Sequence, residues 1–175
     1  MRIIQIIDSL ETGGAERMAV SYANALAGTI EFSGLVVTRK EGPLLNQLFS
    51  EVSYLFINKK KSIDLKSLIK LRKFVIANKV EIVHAHSTSF FTAFLLKISY
   101  SKVKLIWHDH YGNSEFLLKR PAFVLKVILP FFSGIIAVNQ KLKNWSEKRR
   151  AFLLGLNFLL SNHGGRKGKI ENNDS

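Results

Sequence analysis

Four of the five histidines in this chain fall in two short clusters. One is Val83-His84-Ala85-His86-Ser87-Thr88, the other Trp107-His108-Asp109-His110-Tyr111-Gly112-Asn113. Imidazoles grouped this way can do three kinds of chemistry. With Asp109 they could ligate zinc or iron. They could cap loops through structural hydrogen bonds, or contact an anionic or polyhydroxyl substrate and move protons. H-x-H beside H-D-H is not a specific metal signature, so no metal is assigned, and the other two readings stay level. Each cluster follows an apolar run and therefore sits at a strand exit. Spacing of two puts His84 and His86 on one side if the strand continues. The expected arrangement has His84 ending the strand and His86 opening the loop.

A third polar segment is Asp8-Ser9-Leu10-Glu11-Thr12-Gly13-Gly14-Ala15-Glu16-Arg17. Two glycines allow a tight turn and close backbone approach, and a helix starting at Ala15 would offer free N–H groups and a positive dipole end. The loop is competent to hold a phosphate. It is neither G-x-G-x-x-G nor a Walker A sequence, which argues against a dinucleotide site and P-loop hydrolysis. A strand-to-helix turn that binds nothing is the competing reading.

These segments must be positioned by the elements around them. Apolar runs at Ile3–Ile7, Gly34–Thr38, Ser53–Ile57, Glu81–His84, Lys104–Trp107 and Gly134–Val138 predict strands with both faces covered. Between them, helical spacing predicts helices over Ala15–Ala27, Leu65–Asn78, Ser87–Lys97, Glu115–Phe131 and Gln140–Arg149, with a short one at Leu44–Phe49. Met18, Ala19, Tyr22, Ala23 and Leu26 make the apolar face of the first helix; Leu65, Leu68, Ile69, Leu71 and Val75 make that of the second. Strands alternating with helices predict an α/β doubly wound parallel sheet, with function at the carboxyl ends of the strands where their order reverses.

The length, 175 residues, suits one domain, and 47% hydrophobic residues exclude wholesale disorder. The absence of cysteine excludes disulfides, thiolate metal sites and a cysteine nucleophile. With 26 Lys+Arg against 13 Asp+Glu, the formal charge is +13 and an anionic partner is expected. Nucleic acid is the poorer candidate, because no binding signature appears and the aromatics lie in apolar runs. Residues 1–10 lack the features of a signal peptide. Ala122–Val138 carries Lys126, Pro130 and Gly134, so it reads as a buried helix and strand rather than a span. The location expected is cytoplasmic. Basic residues concentrate in Lys59–Lys73, while Lys119, Arg120 and Lys126 flank an apolar helix; both suit peripheral contact with the anionic inner face of the plasma membrane, against a solvated helix face as the alternative.

Three landmarks in order resemble a known family. They are IIQIIDSLETGGAERMAVSYANALA near the start, VEIVHAHS after a basic helix, and LIWHDHYGNSE after the next strand, with GIIAVNQKLKNW following. Over Met1–Arg149 the chain is similar to the amino-terminal domain of family 4 glycosyltransferases, in a form associated with bacterial surface-polysaccharide enzymes. The resemblance implies a Rossmann-like domain, one half of a GT-B architecture whose two domains face a cleft. It implies a hexosyltransferase type of enzyme that moves a sugar from a nucleotide-sugar donor to a polysaccharide or lipid-linked acceptor. It further implies no cofactor and no metal, so that positive charge and backbone donors stabilise the leaving group. Matched by motif, His86, His108 and His110 would line the reaction centre. Gly13, Gly14, Ala15, Ser87, Asp109 and Gly112 would bind substrate or phosphate. Lys119, Arg120 and Lys126 would touch the membrane.

The family's carboxy-terminal domain is not found in this text, and from about Arg150 the likeness stops. The chain therefore divides into a domain at 1–149 and an atypical, partly disordered tail at 150–175, expected from truncation or frameshift of a longer gene. As it stands the chain is expected to be inactive, with the second domain supplied in trans. The alternative is a non-catalytic acceptor- or membrane-binding Rossmann-like domain that works with a partner.

Overall fold

The computed structural model describes residues 1–110, 122–137 and 144. Its elements follow the apolar runs. Strand β1 (Arg2–Ser9) leads into helix α1 (Gly14–Ala27), then β2 (Phe32–Lys40), a 3-10 turn at Pro43–Gln47, β3 (Ser53–Phe56) and α2 (Leu65–Ala77). Next come β4 (Ile82–His86), a 3-10 turn at Ser87–Ser89, α3 (Phe90–Ser99) and β5 (Lys104–Asp109). Helix α4 (Ala122–Ile128), a 3-10 turn at Leu129–Phe131 and β6 (Gly134–Ala137) complete the described elements.

The six strands form one sheet in the order β3-β2-β1-β4-β5-β6, every neighbouring pair parallel. The chain runs outwards from β1 to β3, then returns to the other side of β1 with β4. The strand order reverses between β1 and β4, which opens a crevice at their carboxyl ends. This is the expected doubly wound, Rossmann-like α/β arrangement.

Alternate side chains of each strand build two cores. On one face Ile4, Ile6, Val36, Val83, Ala85, Leu105 and Trp107 pack with Leu71 and Val75 of α2, Ala93 and Leu96 of α3, and Leu125 and Ile128 of α4. On the other, Ile7, Leu35 and Val37 pack with Ala19, Val20 and Ala23 of α1. Each fully buried Leu or Val contributes about 1.5–3 kcal/mol by leaving water. Asp64 starts α2 by accepting from the Ser67 backbone N–H at 3.1 Å.

Four expectations need correction. Strand β4 does not stop at His84: it stays paired through His86↔His108, and the turn falls on Ser87, whose φ is 49°. His84 and His86 therefore share a face. Met18 is exposed, because α1 rests on Ala19, Val20 and Ala23. Leu65 and Ile69 are 68% and 53% exposed, because α2 turns Ser67, Leu71 and Val75 inwards instead. Lys59 is buried and does not belong to the exposed basic window. The segment read as helix plus strand rather than a span is α4, a 3-10 turn containing Pro130, and β6. Among the described residues, no helix is long and apolar enough to cross a membrane. Residues 115–121, 140–143 and 145–149 of the expected helices, and the tail at 150–175, lie outside the described residues.

Candidate functional site

At the end of β1 the chain makes its glycine turn. Gly13 is extended and forms the N-cap of α1, with no side chain capping the helix. The first N–H groups of a helix have no partner within it and concentrate positive potential. Glu16, in the first turn, folds back over Gly13: a β-carbon on Gly13 would lie 2.1 Å from Glu16 Oε2. Ser9 donates to Glu16 Oε1 at 3.3 Å. A carboxylate thus occupies the anion-favouring end of α1.

Across the crevice, β4 and β5 place their histidines on the face that α1 covers. Gln5 stands opposite His84 in register, and His86 opposite His108. His84, His86 and His108 are buried. Ring centroids are 4.4 Å apart for His84–His86, 5.4 Å for His86–His108 and 3.9 Å for His108–His110. Tyr22 of α1 closes the group, its ring within 5.3–6.2 Å of those of His84, His86 and His108. His86 uses both nitrogens: Nε2 lies 2.9 Å from Gln5 Oε1 and Nδ1 lies 3.3 Å from His110 Nε2. An amide oxygen only accepts, so His86 carries its proton on Nε2 and presents a lone pair at Nδ1.

Electrostatics keep the cluster neutral. Burial lowers His84 to about 4, helped by repulsion from His108 and His110. Burial and three neighbouring imidazoles take His86 to about 2, and burial with His110 takes His108 to about 4. His110 is lowered by burial and held up in part by the negative charges of Asp109 and Glu16. That field links the glycine turn to the histidines: Glu16 at the head of α1 acts on His110 beyond β5. Three buried polar atoms here, Gln5 Nε2, His84 Nε2 and His108 Nδ1, have no hydrogen-bond partner among the described residues. Each such atom costs about 1–3 kcal/mol unless something meets it.

On the opposite side of the crevice lies a cavity of about 450 Å³ lined by Asp8, Arg39, Lys59, Ser62, Thr88, Phe90 and Phe91. Asp8 accepts from Thr38 Oγ1 and, at 2.6 Å, from Thr88 Oγ1, so it bridges β1 to β2 and to the turn after β4. Lys59 donates to Thr92 Oγ1 at 2.6 Å. Burial lowers its pKa, and the nearby Asp8 carboxylate opposes that. Ser87 is held at the mouth by Trp107, whose indole N–H donates to its carbonyl at 2.9 Å.

The family model for Glycosyltransferase Family 4 matches residues 12–152, from the glycine turn past both histidine clusters. The chain belongs to glycosyltransferase family 4. No curated protein matches it. The family 4 match covers the head of α1 and both histidine clusters and agrees with a sheet of the kind found in one half of a GT-B enzyme.

In this glycosyltransferase domain the expected site residues fall into three groups. His86, His108 and His110 come together, with His84 as a fourth member, and Asp109 ends β5 beside them. Gly13, Gly14 and Ala15 form the head of α1, joined to the cluster through Glu16, and Ser87 makes the strained turn after β4. Gly112, Lys119 and Arg120 lie outside the described residues, as does the side chain of Lys126. Sequence reasoning missed Gln5, Tyr22, Lys59 and Asp8. A glutamine inside the Ile-rich run of β1 was a signal, since a buried amide needs a partner. Tyr22 was read as core, and nothing local marked Lys59 as buried.

Proposed function

We propose that this domain is the acceptor-side half of a sugar-transfer enzyme that uses a nucleotide-sugar donor. The observation that carries the reading is the convergence of the α1 head and the histidine cluster, tied by Tyr22 packed edge-on or tilted against His84, His86 and His108 and by Glu16 acting on His110. Uncapped N–H groups at Gly14 and Ala15 suit a phosphate oxygen approaching the cleft, once Glu16 swings aside. His110, the half-buried member of the cluster, faces the sugar; His86 positions it through the Nδ1–Nε2 contact. The 450 Å³ cavity receives the acceptor, with Phe90 and Phe91 against apolar or sugar-ring surface and Arg39 and Lys59 towards negative charge. Transfer needs no metal at the donor diphosphate. It needs a second domain across the cleft, in a longer polypeptide or in trans, to stabilise the departing nucleotide.

A second reading rests on a separate observation. Ile63, Leu65, Ile69 and Ile76 are exposed on and just before α2, among Lys60, Lys61, Lys66, Lys70, Arg72 and Lys73. Apolar side chains bordered by lysines suit the headgroup region of an anionic bilayer, each cation contributing about 1 kcal/mol. On this reading the domain binds membrane or a lipid-linked acceptor and leaves catalysis to a partner. The deciding assay measures sugar transfer by the chain alone and by the chain mixed with a family 4 carboxy-terminal domain. Transfer only in the mixture, lost with His110→Ala, supports the first reading. Anionic-liposome binding with no transfer in either tube supports the second. Robust transfer by the chain alone overturns the requirement for a second domain.

A further inference from the structure

The histidine cluster has more ligating capacity than sugar transfer uses. His84, His86 and His108 each bring one ring nitrogen within 4.8 Å of those of the other two, and all three are buried. His84 Nε2 and His108 Nδ1 have no hydrogen-bond partner among the described residues. His86 Nδ1 stands 3.3 Å from His110 Nε2. Two nitrogens bound at about 2.0–2.1 Å to one tetrahedral cation sit roughly 3.3–3.4 Å apart, so this pair is already at ligand spacing. We propose that His84, His86 and His108 form a binding site for one late first-row divalent cation of the zinc class, with the fourth position open towards His110.

Three further features fit. His86 donates its outer N–H to Gln5 Oε1, the second hydrogen bond that fixes ring and tautomer in histidine-ligated metal sites. The cluster is held in the neutral form, which is the ligating form of imidazole. An all-imidazole donor set suits zinc, nickel, copper or cobalt and discriminates against magnesium and calcium, which want oxygen. Within the trio His84, His86 and His108, closing a separation of 4.8 Å to ligand spacing asks each ring to move by about 0.7 Å. The inference concerns binding and does not rest on the transfer reading. Where both hold, they exclude each other in time, because a bound cation ties up the Nδ1 lone pair through which His86 positions His110.

The test uses the purified chain, stripped with chelator and titrated with Co²⁺. The expected result is one Co²⁺ per chain, with the intense visible bands of tetrahedral nitrogen coordination, displaced by equimolar Zn²⁺ and not by excess Mg²⁺. His84→Gln and His108→Gln are each expected to weaken Zn²⁺ binding by at least about tenfold. Should a variant fail to fold, nitrogen-15 NMR of the parent chain with Zn²⁺ decides, because the ring nitrogens of His84 and His108 must shift to metal-bound positions. Absence of the bands, affinities of both folded variants within twofold of the parent, or shifts confined to His163 would overturn the site.

Discussion

Gln5 in β1 accepts a hydrogen bond from His86 Nε2 in β4 at 2.9 Å, across the point where the strand order reverses. The bond fixes which nitrogen of His86 is bare, and through Nδ1 it sets the position of His110. Gln5→Leu removes the acceptor and leaves a buried N–H without a partner. The chain should lose about 1–3 kcal/mol of stability, read as a lowered urea midpoint with unchanged slope. A midpoint within experimental error of the parent's would show that the bond does not hold the cluster.

The neutral cluster ties stability to pH. Unfolded histidine titrates near 6.5, whereas folded His84 and His108 titrate near 4 and His86 near 2. Between these values the unfolded chain binds more protons than the folded one, so stability falls as pH falls. The loss begins near pH 6.5 and runs to about 4 for His84 and His108 and on to about 2 for His86, each histidine adding at most about 1.4 kcal/mol per pH unit. The groups facing the cluster are Tyr22 and Glu16 from α1, Gln5 from β1 and Asp109 from β5; the two carboxylates bear on His110, opposing its depression. In chelator-treated protein, melting temperature should be flat above pH 7 and fall steeply below 6. A flat profile down to pH 4.5 would mean that the histidines titrate like exposed ones.

Two glycines separate folding from binding. A β-carbon on Gly42 would lie 2.4 Å from the Leu10 carbonyl oxygen and 2.7 Å from Glu11 N, all backbone, whereas one on Gly14 would meet nothing within 4 Å. Gly42→Ala should therefore cost about 1–3 kcal/mol through forced backbone shifts. Gly14→Ala, in the first turn of α1, should be neutral or stabilising by up to about 1 kcal/mol. If the α1 head receives donor phosphate, Gly14→Ala should nevertheless weaken nucleotide-sugar binding in the two-domain mixture. Calorimetric binding equal to the parent's would reduce the glycine pair to a turn.

The sheet was legible because parallel strands buried on both faces leave continuous apolar runs, as at Ile3–Ile7 and Gly34–Thr38. The histidines were legible for a related reason, since polar residues ending such runs must sit at strand exits. What did not show was reach. Whether β4 ends at His84 or His86 depends on whether β5 continues beside it, a pairing 22 residues away in sequence. The inward faces of α1 and α2 were partly misassigned because Met18, Leu65 and Ile69 obey helical spacing but stand just outside the buried arc. The partnership of Lys59 with Thr92 joins residues 33 apart, and local sequence held no trace of it.

That lysine supports the last prediction. Lys59 is buried, its Nζ donates to Thr92 Oγ1, and burial lowers its pKa despite the help of Asp8. Thr92→Val keeps the shape but leaves a desolvated ammonium without its partner, and should cost about 1–3 kcal/mol. Lys59→Met removes the charge together with its desolvation cost. Asp8 keeps the hydroxyls of Thr38 and Thr88, so this variant should be destabilised less than Thr92→Val. Because folded Lys59 releases its proton before the unfolded chain does, parent stability should rise as pH climbs towards 10.5, and Lys59→Met should abolish that rise. Urea unfolding of the three proteins at pH 7 and pH 9.5 distinguishes the outcomes. If Lys59→Met loses more stability than Thr92→Val, the ammonium is a net stabiliser, and Asp8 depends on its charge rather than on the two threonines.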